Sequence, residues 1–402
     1  MLARRSIEAA VVLAAARTTL SEDHREVLRA ALHGSADWGA IIEASLSHGT
    51  APMLCRHLQA AAPDLLPEQL HDAAGQFLDG HRQMADLAVH ELIDVLDALE
   101  EAGIGAIPFK GASLAMEAYG DLKLRSYRDI DFLIREENIQ PTMRALAGLG
   151  FQSQASDLTA WQMQAYHRYN GQDILFAEGR MPVEPHWAFA PCTFSVCLDM
   201  DGVWERAVPG SIAGRAMRIL SPEDTLVVAA LHGAKERWAR LLWITDIAEY
   251  LGRHPGLDWE GLLCRARRVG LLRILLLGLA LAERLIGAPI AEQVRRLIQD
   301  DQTCQTLVRQ VEEKLFDGRP AAGSVFTISA FHWQARERLC DRLRYLFSTA
   351  TTARLQHFRM ITLGAPFACA YPAVKLLHDY LALPLWLSGK ALLSGRHGGR
   401  SG

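Results

Sequence analysis

The chain has no strong charge of either sign. Its 402 residues hold 42 Lys and Arg against 46 Asp and Glu, a formal net of −4, so composition predicts no surface built for nucleic acid. Long apolar runs are also absent. The nearest approaches, 271–281 and 361–374, are interrupted by Arg273 and by Gly364, Pro366 and Pro372, and neither reaches the roughly 18–20 residues a membrane span needs. Arg4 and Arg5 precede an apolar stretch at the start. Glu8 interrupts it, so a first amphipathic helix is expected rather than a signal peptide. Cysteine is sparse, odd in number and scattered: Cys55, Cys192, Cys197, Cys264, Cys304, Cys340 and Cys369. Only Cys192 and Cys197 are neighbours, and no CxxC accompanies them. Reduced thiols in a cytoplasmic protein are expected, rather than a disulfide framework or a zinc site. There is no internal repeat, and the only biased segment is the Gly/Ser/Arg tail at 394–402.

Half of the residues are apolar and 22% are charged, ordinary values for a globular chain long enough for two or three domains. Apolar residues recur every three or four positions through 1–100, with Leu87, Leu92, Val95, Leu96 and Leu99 as one stripe, which predicts several helices. Strands are expected at 104–109 and 128–134, a short helix at 112–119 broken by Gly120, and a helix at 139–149 ended by Gly150. Segments 172–177 and 181–189 read as a hairpin around Glu178-Gly179. Ser221-Pro222-Glu223-Asp224 has the order of a helix start: N-cap, first-turn proline, acidic first turn. Residues 334–347 place Leu339, Leu343, Leu346 and Phe347 on one face with arginines around them, a pattern open to an acidic partner, a membrane surface or plain solvation. The fold class is therefore α+β and mostly helical. Its expected regions are a helical 1–100, a small mixed-sheet core at 101–220, a helical 221–320 closing over it, and a helical 321–402 with the tail; 320–323 is the most linker-like stretch.

The most informative stretch is 107–134. Lys110-Gly111-Ala112-Ser113 leads from a strand into a helix, a plausible cradle for phosphate oxygens because glycine permits close backbone approach and helix starts present free N–H groups. Asp129 and Asp131 then alternate with Ile130 and Phe132. Side chains two apart on a strand share a face, so the two carboxylates repel unless a proton or a cation lies between them. Mg²⁺, a hard cation that favours carboxylate and phosphate oxygens, suits such a pair, and Mn²⁺ is the nearest substitute. A solvated acidic strand end is the plain alternative.

These residues, with Arg125 four ahead of Asp129, with Glu184-Pro185-His186-Trp187, and with Leu231-His232-Gly233-Ala234-Lys235 running on to Trp238, Trp243 and Asp246, resemble a family of bacterial nucleotidyltransferases. It is nucleotidyltransferase family 5 of the superfamily with a DNA-polymerase-beta-like core. The Gly-Ala-Ser turn is looser than the superfamily's Gly-Ser, and Pro185 stands where an aliphatic residue is usual. The resemblance implies a small nucleotidyltransferase core at 101–220. It implies Asp129, Asp131 and Glu184 as catalytic metal-binding carboxylates, and Lys110, Gly111, Ser113, Arg125 and Lys235 as nucleotide and phosphate contacts. The implied reaction is Mg²⁺-dependent transfer of a nucleotidyl group from a nucleoside triphosphate to a hydroxyl on a sugar, a small metabolite or a modified peptide. A non-catalytic nucleotide-binding scaffold or regulator is the alternative. His186 is open as a neighbour of the metal ligands, a base contact or a buried structural histidine. Trp238 is open as a base-stacking or a core residue, and Asp246 is expected to pair locally. Nothing in the sequence fixes base preference or oligomeric state.

Overall fold

The computed structural model describes residues 6–34, 36–61, 67–316 and 328–382. The expected linker at 320–323, the tail at 394–402 and Pro384 lie outside them. The architecture is α+β and mostly helical, with a five-stranded mixed sheet ordered β1-β2-β5-β4-β3: β1 (Ile107–Pro108), β2 (Ile130–Leu133), β3 (Gln152–Ser153), β4 (Leu175–Phe176) and β5 (Val183–His186). β2 and β5 run parallel, and the other pairs are antiparallel. The expected hairpin is β4–β5, shorter than its apolar pattern suggested, and a separate hairpin, β6 (Val208–Ile212) and β7 (Arg215–Ile219), follows.

Alternation along β2 and β5 decides the layers. Ile130, Phe132 and Val183 are buried against Leu92, Val95, Leu96 and Leu99 of the long helix Glu68–Glu101 and against Leu146 of the helix Ile139–Gly148. Leu87 departs from its expected stripe: it is 60% exposed, because the buried face of these turns runs through Ala85, Ala88, Val89 and Leu92 and Leu87 lies off it. The opposite sheet face carries Asp131 and His186 toward a second, larger core. That core joins Phe109, Leu114 and Leu133 to the helices Pro222–Lys235, Leu241–Arg253 and Leu272–Leu281, and to the N-terminal helices through Val11, Leu28, Ile41 and Met53.

The helix Pro222–Lys235 begins as its sequence predicts. Ser221 Oγ accepts the Asp224 N–H at 3.2 Å and donates to Asp224 Oδ2 at 2.9 Å, and Arg206 grips the same carboxylate through two nitrogens. Its end is fixed by Trp238, which is fully buried in a left-handed turn. A Cβ at Gly233 would meet the Trp238 ring at 2.4 Å, and one at Gly278 would meet it at 2.9 Å. Trp238 is thus a wedge between two helices, which removes it as a base-stacking surface. Pro366 and Pro372 each open a helical segment, Ala365–Ala370 and Tyr371–Leu377, so they separate helices rather than kink one.

Candidate active site

Register brings the acids together. In the parallel β2–β5 pair Asp131 lies opposite Glu184, and Leu133 opposite His186. Asp129 stands in a bend just ahead of β2 and lines one cleft with Lys110, Gly111 and Asp131. Ligand atoms of Asp131, Glu184 and His186 all lie within 4.8 Å of one another. Asp131 Oδ1 accepts from Lys110 Nζ at 2.7 Å and from His186 Nε2 at 2.8 Å. Glu184 Oε2 accepts from Gln172 Nε2 at 2.7 Å, with His186 Nε2 at 3.6 Å. An ionised carboxylate only accepts, so the network puts the His186 proton on Nε2. His186 Nδ1 is buried with no hydrogen-bond partner among the described residues, and the ring edge meets Phe109 at a centroid distance of 4.9 Å. Among the readings left open for His186, the geometry favours a buried partner that holds Asp131.

The charges are unevenly balanced. Burial alone would raise Asp131, but the Lys110 ammonium and the His186 hydrogen bond hold its carboxyl well below the usual range. Asp129 moves the other way: burial, then the charges of Asp131 and Glu184, push it up to about 6. Lys110 is raised, since Asp131 and Glu184 outweigh its burial. Three carboxylates thus lie near one closely paired lysine.

The Lys110 turn has the expected backbone. Gly111 has φ +48°, and a Cβ there would lie 3.4 Å from the Asp129 carbonyl oxygen, so the loop approaches β2 closely. Ser113 is buried, and its hydroxyl donates to Glu117 Oε1 at 2.8 Å. The sequence reading passed over Glu117, although its place four residues after Ser113 on a helix was a usable signal. Burial pushes Glu117 up to about 7, against hydrogen bonds from Ser113 and from Tyr250 OH at 3.3 Å. Because the folded state favours the protonated form, Glu117 is neutral to stability below about pH 4.5 relative to solution and increasingly costly as pH rises toward 7. Glu117→Gln keeps an acceptor for Ser113 and removes that penalty. It is expected to stabilise the protein at pH 8 by up to roughly 3 kcal/mol and to change little at pH 4. Denaturant unfolding at the two pH values measures this, and an equal effect at both would refute a buried neutral Glu117.

Arg125, expected at a phosphate, is committed elsewhere. Its Nε and Nη2 donate to the two Asp246 oxygens at 2.8 and 2.9 Å, and Tyr119 OH donates to Asp246 Oδ1 at 2.7 Å, all three residues buried. Asp246 therefore pairs across 121 residues of chain, not locally. The cluster ties the loop ahead of β2 to the helix Leu241–Arg253. Lys235 does arrive at the site: its ammonium is disfavoured by burial and then by Lys110, while Asp131 and Glu184 favour it. Its Nζ has no hydrogen bond or ion pair with any described residue. His232, one turn earlier, is held neutral by burial and by Lys110 and Lys235.

Two open clefts flank Lys110. One, with about 330 Å³ of space, is lined by Phe109, Arg125, His232, Trp243 and Asp246. The other, about 230 Å³, is lined by Gly111, Tyr127, Asp129 and Asp131. A second close group, His357, His378 and Asp379, lies in the C-terminal helices and does not suit a cation. His357 Nδ1 accepts the Arg354 backbone N–H at 2.9 Å, so its proton is on Nε2 facing Asp379, and Arg354 and Lys375 bring positive charge to the same carboxylate.

No curated protein and no solved structure gives a significant match to the chain. The sheet register does bring Asp131, Glu184 and His186 together beside Lys110, and one comparison matches. A family model described as uncharacterised nucleotidyltransferase covers residues 34–287, more than half of the sequence, and the chain belongs to that family.

Proposed function

We propose that the protein transfers a nucleotidyl group from a nucleoside triphosphate to a hydroxyl of a sugar, a small metabolite or a modified peptide, releasing pyrophosphate. The observation that carries this reading is the register pairing of Asp131 with Glu184 beside Lys110, with Asp129 near enough for both of their charges to act on it. A divalent cation fits this donor set: the acids outnumber the closely paired lysine, and burial together with the charges of Asp131 and Glu184 raises Asp129 to about 6. Asp129, Asp131 and Glu184 would hold Mg²⁺, or Mn²⁺ in its place. Bound there, the ion would neutralise triphosphate charge and lower the pKa of the attacking hydroxyl.

The chain's own residues do the rest. His186 donates to Asp131 Oδ1 and so fixes the orientation of that carboxylate. Glu184, anchored by Gln172, offers an oxygen to orient the acceptor hydroxyl. Gly111 lets the backbone approach a phosphate, and Lys110 and Lys235 bring positive charge from two different elements; Ser113, expected at a phosphate, is buried and gives its hydroxyl proton to Glu117 instead. Arg125 acts indirectly, through Asp246, by holding the turn in place. Lys235 is the cleanest probe, since its ammonium is destabilised where it stands. Lys235→Met is expected to weaken nucleoside triphosphate binding about tenfold, the scale of one charge-assisted contact. It is expected to leave stability unchanged or slightly raised. Calorimetric titration with Mg²⁺ present measures this, and unaltered affinity would remove Lys235 from the site.

Pyrophosphate release from each of the four nucleoside triphosphates, with Mg²⁺ and a panel of hydroxyl acceptors, tests the reading as a whole. Tight nucleotide binding with no release under any of these conditions would replace it with the non-catalytic regulator.

A further inference from the structure

The helix that carries His232 and Lys235 ends against a residue from far along the chain. His332, in the helix Ala330–Gln334, is fully buried, and its Nε2 stands 3.2 Å from both the Ala234 and the Lys235 carbonyl oxygens. Carbonyl oxygens only accept, so Nε2 carries the proton and donates to both. Burial, with the Arg336 charge adding to it, pushes the imidazole down to about 4, so the ring is neutral. The last carbonyls of a helix have no partner within it. The turn that follows gives its Arg237 and Trp238 N–H groups to Ala234 and Gly233, so it is His332 that serves the Lys235 carbonyl.

His332 is itself held in place. Arg336 donates to the His332 carbonyl and to the Phe194 carbonyl, and its guanidinium lies 4.5 and 4.1 Å from the ring centroids of Phe194 and Tyr345. The imidazole meets the Phe194 ring edge-on at 5.3 Å. Arg273 fixes the following stretch through the Gln334 and Arg336 carbonyls, both at 3.0 Å. His332 and Arg336 lie beyond residue 287, outside the span matched by the family, yet they fasten a helix end inside it.

That fastening bears on Lys235 in particular. Burial and the Lys110 charge outweigh the attraction of Glu236, Asp131 and Glu184 for its ammonium, which has no hydrogen bond or ion pair with any described residue. Fraying of the last turn would release it toward water. Arg237 and Trp238, just beyond, both have φ +55°, a backbone conformation that residues with a Cβ keep only where the surroundings impose it. Packing against Gly233 and Gly278 imposes it on Trp238, and His332 pins the carbonyl of Lys235 itself.

We propose that His332 is a positioning residue for nucleotide binding: through the Lys235 carbonyl it holds the last turn of this helix so that Lys235 meets the triphosphate. The proposal rests on the transferase reading, in which Lys235 contacts a phosphate.

The test is a double-mutant cycle on the full chain, read by calorimetric titration with Mg²⁺ and whichever of the four nucleoside triphosphates wild type binds most tightly. His332→Phe keeps a buried ring and removes the donor, and it is expected to weaken binding by about three- to tenfold. His332→Gln, whose amide nitrogen takes the place of Nε2, is expected to restore binding to within about twofold of wild type. In the Lys235→Met background His332→Phe should cause no further loss. A merely structural role would lower the melting temperature and the number of competent sites without this rescue or this coupling. Should His332→Phe not fold, His332→Asn, whose amide falls one methylene short of the carbonyls, takes its place in the cycle. Three results would overturn the proposal and leave the transferase reading standing: unaltered binding by His332→Phe, no rescue by His332→Gln, or an equal loss in the Lys235→Met background. Unaltered binding by Lys235→Met would remove both residues from the site, and wild type that binds no nucleotide would overturn the transferase reading along with the proposal.

Discussion

Asp129→Asn is expected to lower pyrophosphate release by at least about 10³-fold, roughly 4 kcal/mol of transition-state stabilisation, while leaving the protein folded. The two halves of that expectation have one cause. Asp129 is the carboxyl that burial and the charges of Asp131 and Glu184 push up to about 6. A folded-state pKa above the ordinary 3.8 means that the contribution of Asp129 to stability is present below about pH 4 and is lost as pH rises through 6. Asparagine has the same shape and no charge, so without metal it relieves repulsion at pH 8. The variant's melting temperature there should equal or exceed wild type. Added Mg²⁺ should separate the two proteins. At a hundredfold excess over the dissociation constant it should stabilise wild type by about 2.7 kcal/mol, and Asp129→Asn by much less. A variant that kept a tenth of the activity, or wild-type stabilisation by Mg²⁺, would end the metal-binding role of Asp129. Asp131→Asn is a poorer probe, because it also removes the negative charge that Lys110 and His186 share, leaving the Lys110 ammonium against a neutral amide.

Asp246→Ala is expected to cost about 3–5 kcal/mol of stability, the scale of leaving a buried charge uncompensated. Arg125 would lose both of its hydrogen bonds to that side chain, and the buried Tyr119 hydroxyl would lose its acceptor. The pair is a stabiliser only as a pair, so Arg125→Met/Asp246→Leu should be less destabilised than the sum of the two single variants, and less than Asp246→Ala alone. Denaturant unfolding of the four proteins in the cycle gives the coupling. Additive losses, or less than about 1 kcal/mol for Asp246→Ala, would show that the cluster does not tie the Arg125 loop to the helix Leu241–Arg253.

Much of the site was legible because it depends on short-range rules. Strand alternation predicted one face for Asp129 and Asp131, though β2 begins only at Ile130; Gly111 and Gly120 marked the ends of the turn and the short helix, and Ser221-Pro222 marked the next helix start. What those residues touch was not legible. Arg125 and Asp246 are 121 residues apart, so no local pattern distinguishes a guanidinium that meets a phosphate from one that is already paired. Glu117 resembled any helix glutamate until Tyr250 arrived from a distant helix and enclosed it. Trp238 was ambiguous between stacking and core for the same reason, and the absence of side chains at Gly233 and Gly278 settled it.

The helix Leu339–Thr351 shows the same division. Periodicity established that Leu339, Leu343 and Phe347 share a side, but the period of a stripe carries no information about what covers it. Sequence alone determined the mixed helical class and the family, since each depends on neighbours within a few residues or on order along the chain. Tertiary structure alone decided that Glu184 stands beside Asp131, that Arg125 belongs to Asp246, and that the C-terminal stripe faces outward. The physical reason is that strand register, ion pairing and burial are set by whichever segments the folded chain brings within a few ångströms, and separation in sequence places almost no limit on those meetings.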